Sequence, residues 1–144
     1  MIAYFDASAI IPILIDEPLS DVAGTVWRQA ARVATARLSY VEARSGLARA
    51  CRMGRISADE LSEAVEGLET LHRQIHHVEI TADLVAKAGN LAEDMALRAY
   101  DAVQLAAALS LETRDLVFVT GDRQLVTAAQ TLGLFSISDP GTPA

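Results

Sequence analysis

The sequence predicts an α/β protein in which helices cover both faces of a parallel sheet. Short apolar stretches typical of strands alternate with longer amphipathic stretches typical of helices, and this alternation favours parallel strand pairing. The length of 144 residues suits one domain with a sizeable core. A hydrophobic content of 51% and a mean hydropathy of +0.25 argue against a disordered chain.

Five stretches have the composition of short strands. The clearest is 116–120, Leu-Val-Phe-Val-Thr, which is continuous, β-branched and aromatic. Residues 2–6, Ile-Ala-Tyr-Phe-Asp, are apolar or aromatic up to a final acid. Weaker patterns predict strands at 33–36, at 77–80 and, as an edge strand, at 134–137.

The segments between these strands carry helix signals. Ser39 can cap a helix that reaches about Met53. Ser57 and Glu60 form a capping box, and Thr81 can cap the helix after the third strand. The predicted helices cover 7–14, about 18–31, 39–53, a segment from 58 past 71, 82–97, 99–112 and 123–132.

Charge is unevenly distributed along the chain. The formal net charge of −7 argues against a simple basic nucleic-acid binder. Residues 28–55 nevertheless contain seven of the twelve cations, all arginine, and one acid, Glu42, so this segment carries +6 and the remainder −13. Arginine suits bidentate contacts with phosphate or carboxylate, although solvated helix faces explain the same pattern.

Domain organisation and compartment follow from simple features. Residues 1–137 are expected to form one domain, and 138–144, with two prolines and a glycine, a loose C-terminal tail. Cys51 is the single cysteine, so no disulfide framework is expected. No apolar run approaches membrane-spanning length. These features predict a soluble cytoplasmic protein.

Four acids occupy positions that a solvated surface does not explain. Asp6 and Asp122 follow two predicted strands, Glu42 lies early in the helix after the second strand, and Asp101 opens an almost wholly apolar helix. The carboxyl ends of parallel strands meet at one sheet edge, where ligands bind. Packing must bring Asp101 there. Three of the acids could instead act as helix caps or dipole partners.

A cluster of these acids requires a cation, because neighbouring carboxylates repel one another. Oxygen ligands without cysteine or histidine indicate Mg²⁺ or Mn²⁺. The three histidines, His72, His76 and His77, have no cysteine near them and are expected at the surface rather than in a Zn²⁺ site.

Four stretches match a known family in residue type, order and approximate spacing. They are Tyr4–Ala9 (YFDASA), Leu38–Ala43 (LSYVEA), Tyr100–Ala108 (YDAVQLAAA) and Val119–Asp122 (VTGD). On these motifs the sequence resembles the PIN-domain ribonucleases of the VapC type, the toxins of bacterial toxin–antitoxin pairs. One departure is Gly121, where the family often carries a larger residue.

The resemblance implies a three-layer α/β/α PIN-like fold with a short, mostly parallel central sheet. It implies metal-dependent endoribonuclease activity, a homodimer and inhibition by a small cognate antitoxin. Supporting hydroxyl groups would come from Ser8 and Thr120. The implied catalytic residues, which would also bind Mg²⁺ or Mn²⁺, are Asp6, Glu42, Asp101 and Asp122.

The arginine-rich segment supplies candidate contacts to RNA. Arg49 lies seven residues after Glu42, which is two helical turns and therefore the same helix face. We expect Arg44, Arg49 and Arg52 to contact the RNA backbone, because an acidic pocket repels RNA. The same arginines could instead hold acidic residues of an antitoxin.

Two other functions fit parts of the sequence. In a haloacid-dehalogenase-like phosphatase Asp6 would be the nucleophile, but such sites favour a second acid at the position of Ser8. A non-catalytic protein-binding module could keep the fold and use its arginines for a partner. The four acids favour the nuclease over both.

Overall fold

The computed structural model describes residues 1–139, which contain seven helices and five strands. The strands are β1 (Ile2–Phe5), β2 (Arg32–Ala36), β3 (His76–Val78), β4 (Leu116–Val119) and β5 (Phe135–Ile137). The helices are α1 (Ala7–Leu14), α2 (Ser20–Gln29), α3 (Ser39–Arg52), α4 (Ala58–Gln74), α5 (Ala82–Met95), α6 (Ala99–Leu109) and α7 (Arg123–Thr131).

All five strands pair in parallel, in the order β3-β2-β1-β4-β5. The chain leaves β1 on one side to form β2 and β3, and then crosses to the other side to form β4 and β5. The strand order therefore reverses between β1 and β4. In parallel sheets the carboxyl ends of the strands at such a reversal border a crevice that binds ligands.

Side chains alternate between the two faces of the sheet, as strand geometry requires. In β1, Tyr4 packs into a core formed with α5, α6 and α7. Its neighbours Ala3 and Phe5 pack on the opposite face, in a core formed with α1 to α4. The fold is therefore a three-layer α/β/α sandwich, which confirms the prediction, and the sheet is parallel throughout.

The helix predicted at 99–112 ends at Leu109, and two other predicted boundaries are wrong for a clear physical reason. The third strand was predicted at 77–80 but ends at Val78, because its pairing partner β2 ends at Ala36, opposite Val78. The helix predicted to reach residue 97 ends at Met95, because Ala96 adopts a left-handed conformation with φ of 52°.

The helix caps give a mixed outcome. The capping box of Ser57 and Glu60 is confirmed, as is the Thr81 cap, whose hydroxyl accepts from the Leu84 amide. The Ser39 cap is wrong: Leu38 precedes the helix without a side-chain cap, and Ser39 is its first residue. The Ser39 hydroxyl instead lies in a buried polar network.

The predicted tail at 138–144 falls largely on residues 140–144, which lie outside the described residues, so it stays a prediction. Among residues 1–139, no helix combines the length and apolar character needed to cross a bilayer.

Candidate active site

Asp6 lies directly after β1 and is 4% exposed. It is the N-cap of α1, and its Oδ1 atom accepts from the Ala9 amide at 3.0 Å. The Ser8 hydroxyl donates to the same oxygen at 2.6 Å, and the Thr120 hydroxyl donates to Oδ2 at 2.5 Å. Three donors therefore fix both oxygens of this buried carboxylate.

The hydroxyl hydrogens of Ser8 and Thr120 are both used on Asp6. Each hydroxyl has one hydrogen to donate, so the 3.3 Å approach between Ser8 Oγ and Thr120 Oγ1 is a contact without a shared hydrogen. The Gly121 amide donates to Ser8 Oγ at 2.7 Å, and a Cβ at Gly121 would lie 3.3 Å from that oxygen. The small residue allows the chain after β4 to approach Ser8 closely.

Asp122 lies at the same sheet edge, three residues beyond the end of β4. Its Oδ1 atom caps α7 by accepting from the amides of Gln124 and Leu125, at 2.9 and 3.4 Å. Its Oδ2 atom accepts from Arg98 Nη2 at 3.0 Å. One carboxylate oxygen thus caps the helix, and the other binds the guanidinium group of Arg98.

Asp101 reaches the site from the first turn of α6. Its Oδ2 atom accepts from Arg98 Nε at 3.2 Å. The Arg98 guanidinium therefore bridges Asp101 and Asp122, although these two residues lie on different helices. Packing of α6 against β2 and α5 brings Asp101 to this edge.

Glu42 lies in the first turn of α3 and is partly buried. Its Oε1 atom accepts from the Nε2 atom of Gln104 at 2.9 Å. Gln104 lies one helical turn after Asp101 on α6. A single hydrogen bond thus joins the α3 acid to the helix that carries Asp101.

The four carboxylates influence one another electrostatically. Burial raises the pKa of Asp6 from 3.8 to about 7, and the charge of Glu42 adds to this rise. Burial also raises the pKa of Glu42, with a further contribution from Asp101. The pKa of Asp101 is raised by burial and then by Asp122, while Arg98 lowers it. The acids therefore form one electrostatically coupled group, and a positive charge among them would stabilise their ionised forms.

The donor set matches a hard divalent cation in chemistry and in charge. Carboxylate oxygens are the ligands that Mg²⁺ and Mn²⁺ favour. Within the described range 1–139, no three acid, histidine or cysteine side chains are already grouped as a metal cage. Arg98 occupies one oxygen of Asp101 and one of Asp122, so a cation that binds both residues would have to displace its guanidinium.

The predicted RNA contacts differ in their surroundings. Arg44 donates to the Tyr40 hydroxyl at 2.7 Å and lies 3.9 Å from Glu69. Arg49 and Arg52 are exposed in the last turn of α3, and their side chains form no hydrogen bond or ion pair with the described part of the chain. Arg49 lies about 10 Å along the helix from Glu42.

The histidines lie away from the four acids. The rings of His72 and His77 are 4.2 Å apart and partly buried, and His76 is exposed. Tyr40 packs against His72 with ring centroids 5.0 Å apart.

Sequence reasoning missed two residues at this site, Arg98 and Gln104. Each had a weak signal. Arg98 lies three residues before Asp101, which is within reach on one helix, and Gln104 interrupts an otherwise apolar segment on the face of Asp101. Neither signal identifies its partner, because Asp122 and Glu42 lie far away in sequence.

The structure defines a three-layer α/β protein whose four acids lie at the sheet edge where such folds bind ligands. Residues 3–130 match the PIN domain family model. The chain is 38% identical over 132 residues to Ribonuclease VapC45 and Ribonuclease VapC49, from two strains of Mycobacterium tuberculosis, and covers 92% of each chain. This protein belongs to the PIN-domain family.

A solved structure agrees with the fold. The chain is similar to a member of the VapBC family of toxin–antitoxin systems, VapBC-5 from Mycobacterium tuberculosis, with a TM-score of 0.63 and 19% identity. The similarity covers 95% of this chain and 98% of that one.

Proposed function

We propose that this protein is a divalent-metal-dependent endoribonuclease that acts as the toxin of a toxin–antitoxin pair. The observation that carries the proposal is the convergence of four carboxylates at the carboxyl edge between β1 and β4, where Glu42, Asp101 and Asp122 each raise the pKa of another of the four acids. Relatives that share 38% identity over nearly the full chain are described as ribonucleases.

The four acids have distinct roles in this proposal. Asp6 and Asp101 are the main ligands of Mg²⁺ or Mn²⁺, while Glu42 and Asp122 hold a second ion or bind through water. When bound, such a cation activates water and neutralises charge on the phosphate.

Neighbouring residues prepare the ligands. The hydroxyl groups of Ser8 and Thr120 hold Asp6 with both oxygens in fixed directions, at 2.6 and 2.5 Å. Because three donors favour the ionised form, they offset part of the cost of burying this carboxylate. The donors thereby lower the pKa of Asp6 below the value that burial alone would give it.

RNA binding is assigned to the exposed arginines of α3. The guanidinium groups of Arg49 and Arg52 form no hydrogen bond with a described residue, so they are available to phosphates. Arg44 is held by Tyr40 and Glu69 and must exchange these partners to bind RNA.

A small cognate antitoxin is the proposed protein partner, since VapBC-5 is described as a member of a toxin–antitoxin family. Acidic antitoxin residues would compete with RNA for the α3 arginines. We also propose a homodimer, which light scattering would test, and a cytoplasmic location, because the proposed substrate is RNA.

The proposal is tested by removing single charges from the acids. Asp6→Asn and Asp101→Asn should each lower cleavage of a labelled single-stranded RNA by at least about a hundredfold. Asp83→Asn is the matched control, because Asp83 is exposed and pairs with Lys87 on α5. EDTA should stop cleavage by the wild type, and excess Mn²⁺ should restore it. Cleavage that persists in EDTA would falsify the metal dependence.

The geometry does not favour the rival functions. A phosphatase of this kind favours a second acid two residues after its nucleophile. Ser8 stands at that position, and its hydroxyl donates to Asp6 at 2.6 Å. A phosphoaspartate trapped on Asp6 would establish the phosphatase instead, and partner binding without nuclease activity would establish the binding module.

A further inference from the structure

The interior of the described chain contains few polar side chains, and they lie at the site or in a network that reaches it. Within residues 1–139, five polar or charged residues are buried. Two of these, Asp6 and Thr120, form the centre described above. The other three, Thr35, Ser39 and Gln104, form one hydrogen-bonded network that ends at Glu42.

The orientation of the Gln104 amide follows from counting hydrogens. The Tyr4 hydroxyl accepts from the Ala36 amide at 3.1 Å, so its own hydrogen is free to point to Gln104 Oε1 at 2.5 Å. A side-chain amide has one acceptor end and one donor end. Tyr4 therefore identifies the oxygen end, and the Nε2 end faces Ser39 and Glu42, each at 2.9 Å.

The remaining hydroxyl groups agree with this orientation. The Phe5 carbonyl can only accept, so the Thr35 hydroxyl, 2.6 Å away, gives its hydrogen there. Ser39 Oγ, which accepts from Gln104, then donates to Thr35 Oγ1 at 2.7 Å. Each hydrogen in the network has one acceptor, and a reversed amide would turn an oxygen towards the Glu42 carboxylate.

We propose that Gln104 is a positioning residue, whose side-chain amide holds the Glu42 carboxylate in register with Asp101 by donating one N–H to it. Glu42 has a flexible side chain on α3 and would otherwise sample several rotamers. Gln104 is 2% exposed and lies on the same helix face as Asp101, three residues later. Through this amide, the placement of the Glu42 carboxylate on α3 depends on the position of α6.

This inference rests on the proposed function, in which Glu42 and Asp101 serve one cation site. Groups that orient metal ligands commonly change metal affinity by about 10–100-fold when they are removed. Gln104→Met keeps the length of the side chain and removes the amide. Leu105→Met is the matched control, because Leu105 is the next residue of α6, is fully buried and carries no polar group.

The readout is the Mn²⁺ dissociation constant of the full chain without RNA, measured by titration calorimetry. Gln104→Met should weaken binding about tenfold, whereas Leu105→Met should stay within about twofold of the wild type. In a Glu42→Ala background, Gln104→Met should have almost no further effect, because the amide acts through Glu42. Equal weakening in both backgrounds, or none in either, overturns the proposal.

A measurement on the wild type covers the case in which Gln104→Met fails to fold. The Gln104 side-chain amide should show slow hydrogen exchange by NMR and a shift on addition of Mg²⁺. Exchange at the rate of an exposed amide contradicts the network. If the wild type binds no Mn²⁺ and cleaves RNA without it, the proposed function fails and the inference fails with it. If the wild type binds Mn²⁺ and only the Gln104 results disagree, the inference alone fails.

Discussion

Asp6→Asn is expected to stabilise the metal-free protein at alkaline pH while it removes activity. Asp6 is 4% exposed, and its burial raises the pKa from 3.8 to about 7. A rise of this size corresponds to about 4 kcal/mol in the free energy of unfolding. The whole domain is expected to have about 5–15 kcal/mol, so one carboxylate accounts for a large share.

The direction of the pH dependence follows from proton binding to Asp6. Below about pH 4 the carboxyl group is protonated in both the folded and the unfolded chain, and its burial does not lower the free energy of unfolding. Between about pH 4 and 7 the unfolded chain releases the proton and the folded chain keeps it, so stability falls as pH rises. Above about pH 7 the carboxyl group is ionised in both states, and the full loss in the free energy of unfolding remains.

Asparagine can keep most of the contacts of this carboxylate. Its carbonyl oxygen can accept from Ser8 and from the Ala9 amide. Its amide can donate to Thr120 Oγ1, whose own hydrogen then turns to Ser8 Oγ, 3.3 Å away. The variant should therefore equal the wild type near pH 4 and exceed it by up to about 4 kcal/mol near pH 8. Glu42 and Asp101 titrate in both proteins, so the difference isolates Asp6.

The assay is urea unfolding of both proteins in EDTA, at several pH values between 4 and 8.5. A stability difference that does not change with pH, or a variant that is less stable at pH 8, refutes the reasoning. Excess Mg²⁺ at pH 8 should then stabilise the wild type more than the variant, because a ligand of the folded state adds to its stability.

Two further predictions concern arginines. Arg98→Ala should strengthen Mn²⁺ binding about threefold, because the guanidinium that competes for Asp101 and Asp122 is removed; calorimetry that shows weaker binding contradicts this competition. Arg49→Ala should lower RNA affinity in EDTA and reduce the slope of log K against log salt by about 0.7, as expected for one lost phosphate contact. Arg28→Ala on α2 is the control for fluorescence anisotropy, and equal losses in both variants would sink the assignment of Arg49.

The sheet and the acids that follow its strands were predictable because both depend on local patterns. β4 is a continuous run of apolar residues, and Asp6 stands where a buried strand gives way to a helix. Because strands alternate with helices and pair in parallel, their carboxyl ends meet at one sheet edge whatever the details of packing. The third strand was misplaced because its end depends on the length of β2, which is a property of a different segment.

The polar network was not predictable, because its partners are distant in sequence. Tyr4 and Gln104 are 100 residues apart, and Ser39 and Gln104 are 65 apart. A hydroxyl at a helix start has the same local signature whether it caps the helix or lies in the core, so Ser39 was interpreted as a cap. Burial distinguishes the two, and burial is decided by the docking of α6.

Two of the acids raised opposing interpretations, helix cap or metal ligand, and the geometry shows that these are compatible. In Asp6, Oδ1 accepts from the Ala9 amide while Oδ2 faces Thr120; in Asp122, Oδ1 accepts from the α7 amides while Oδ2 faces Arg98. A cap uses one oxygen and orients the carboxylate, so the second oxygen has a defined direction, towards Thr120 in Asp6 and towards Arg98 in Asp122. Glu42 and Asp101 form no such cap. They depend on Gln104 and Arg98 instead, and their positions should therefore be the more sensitive to changes outside the four acids.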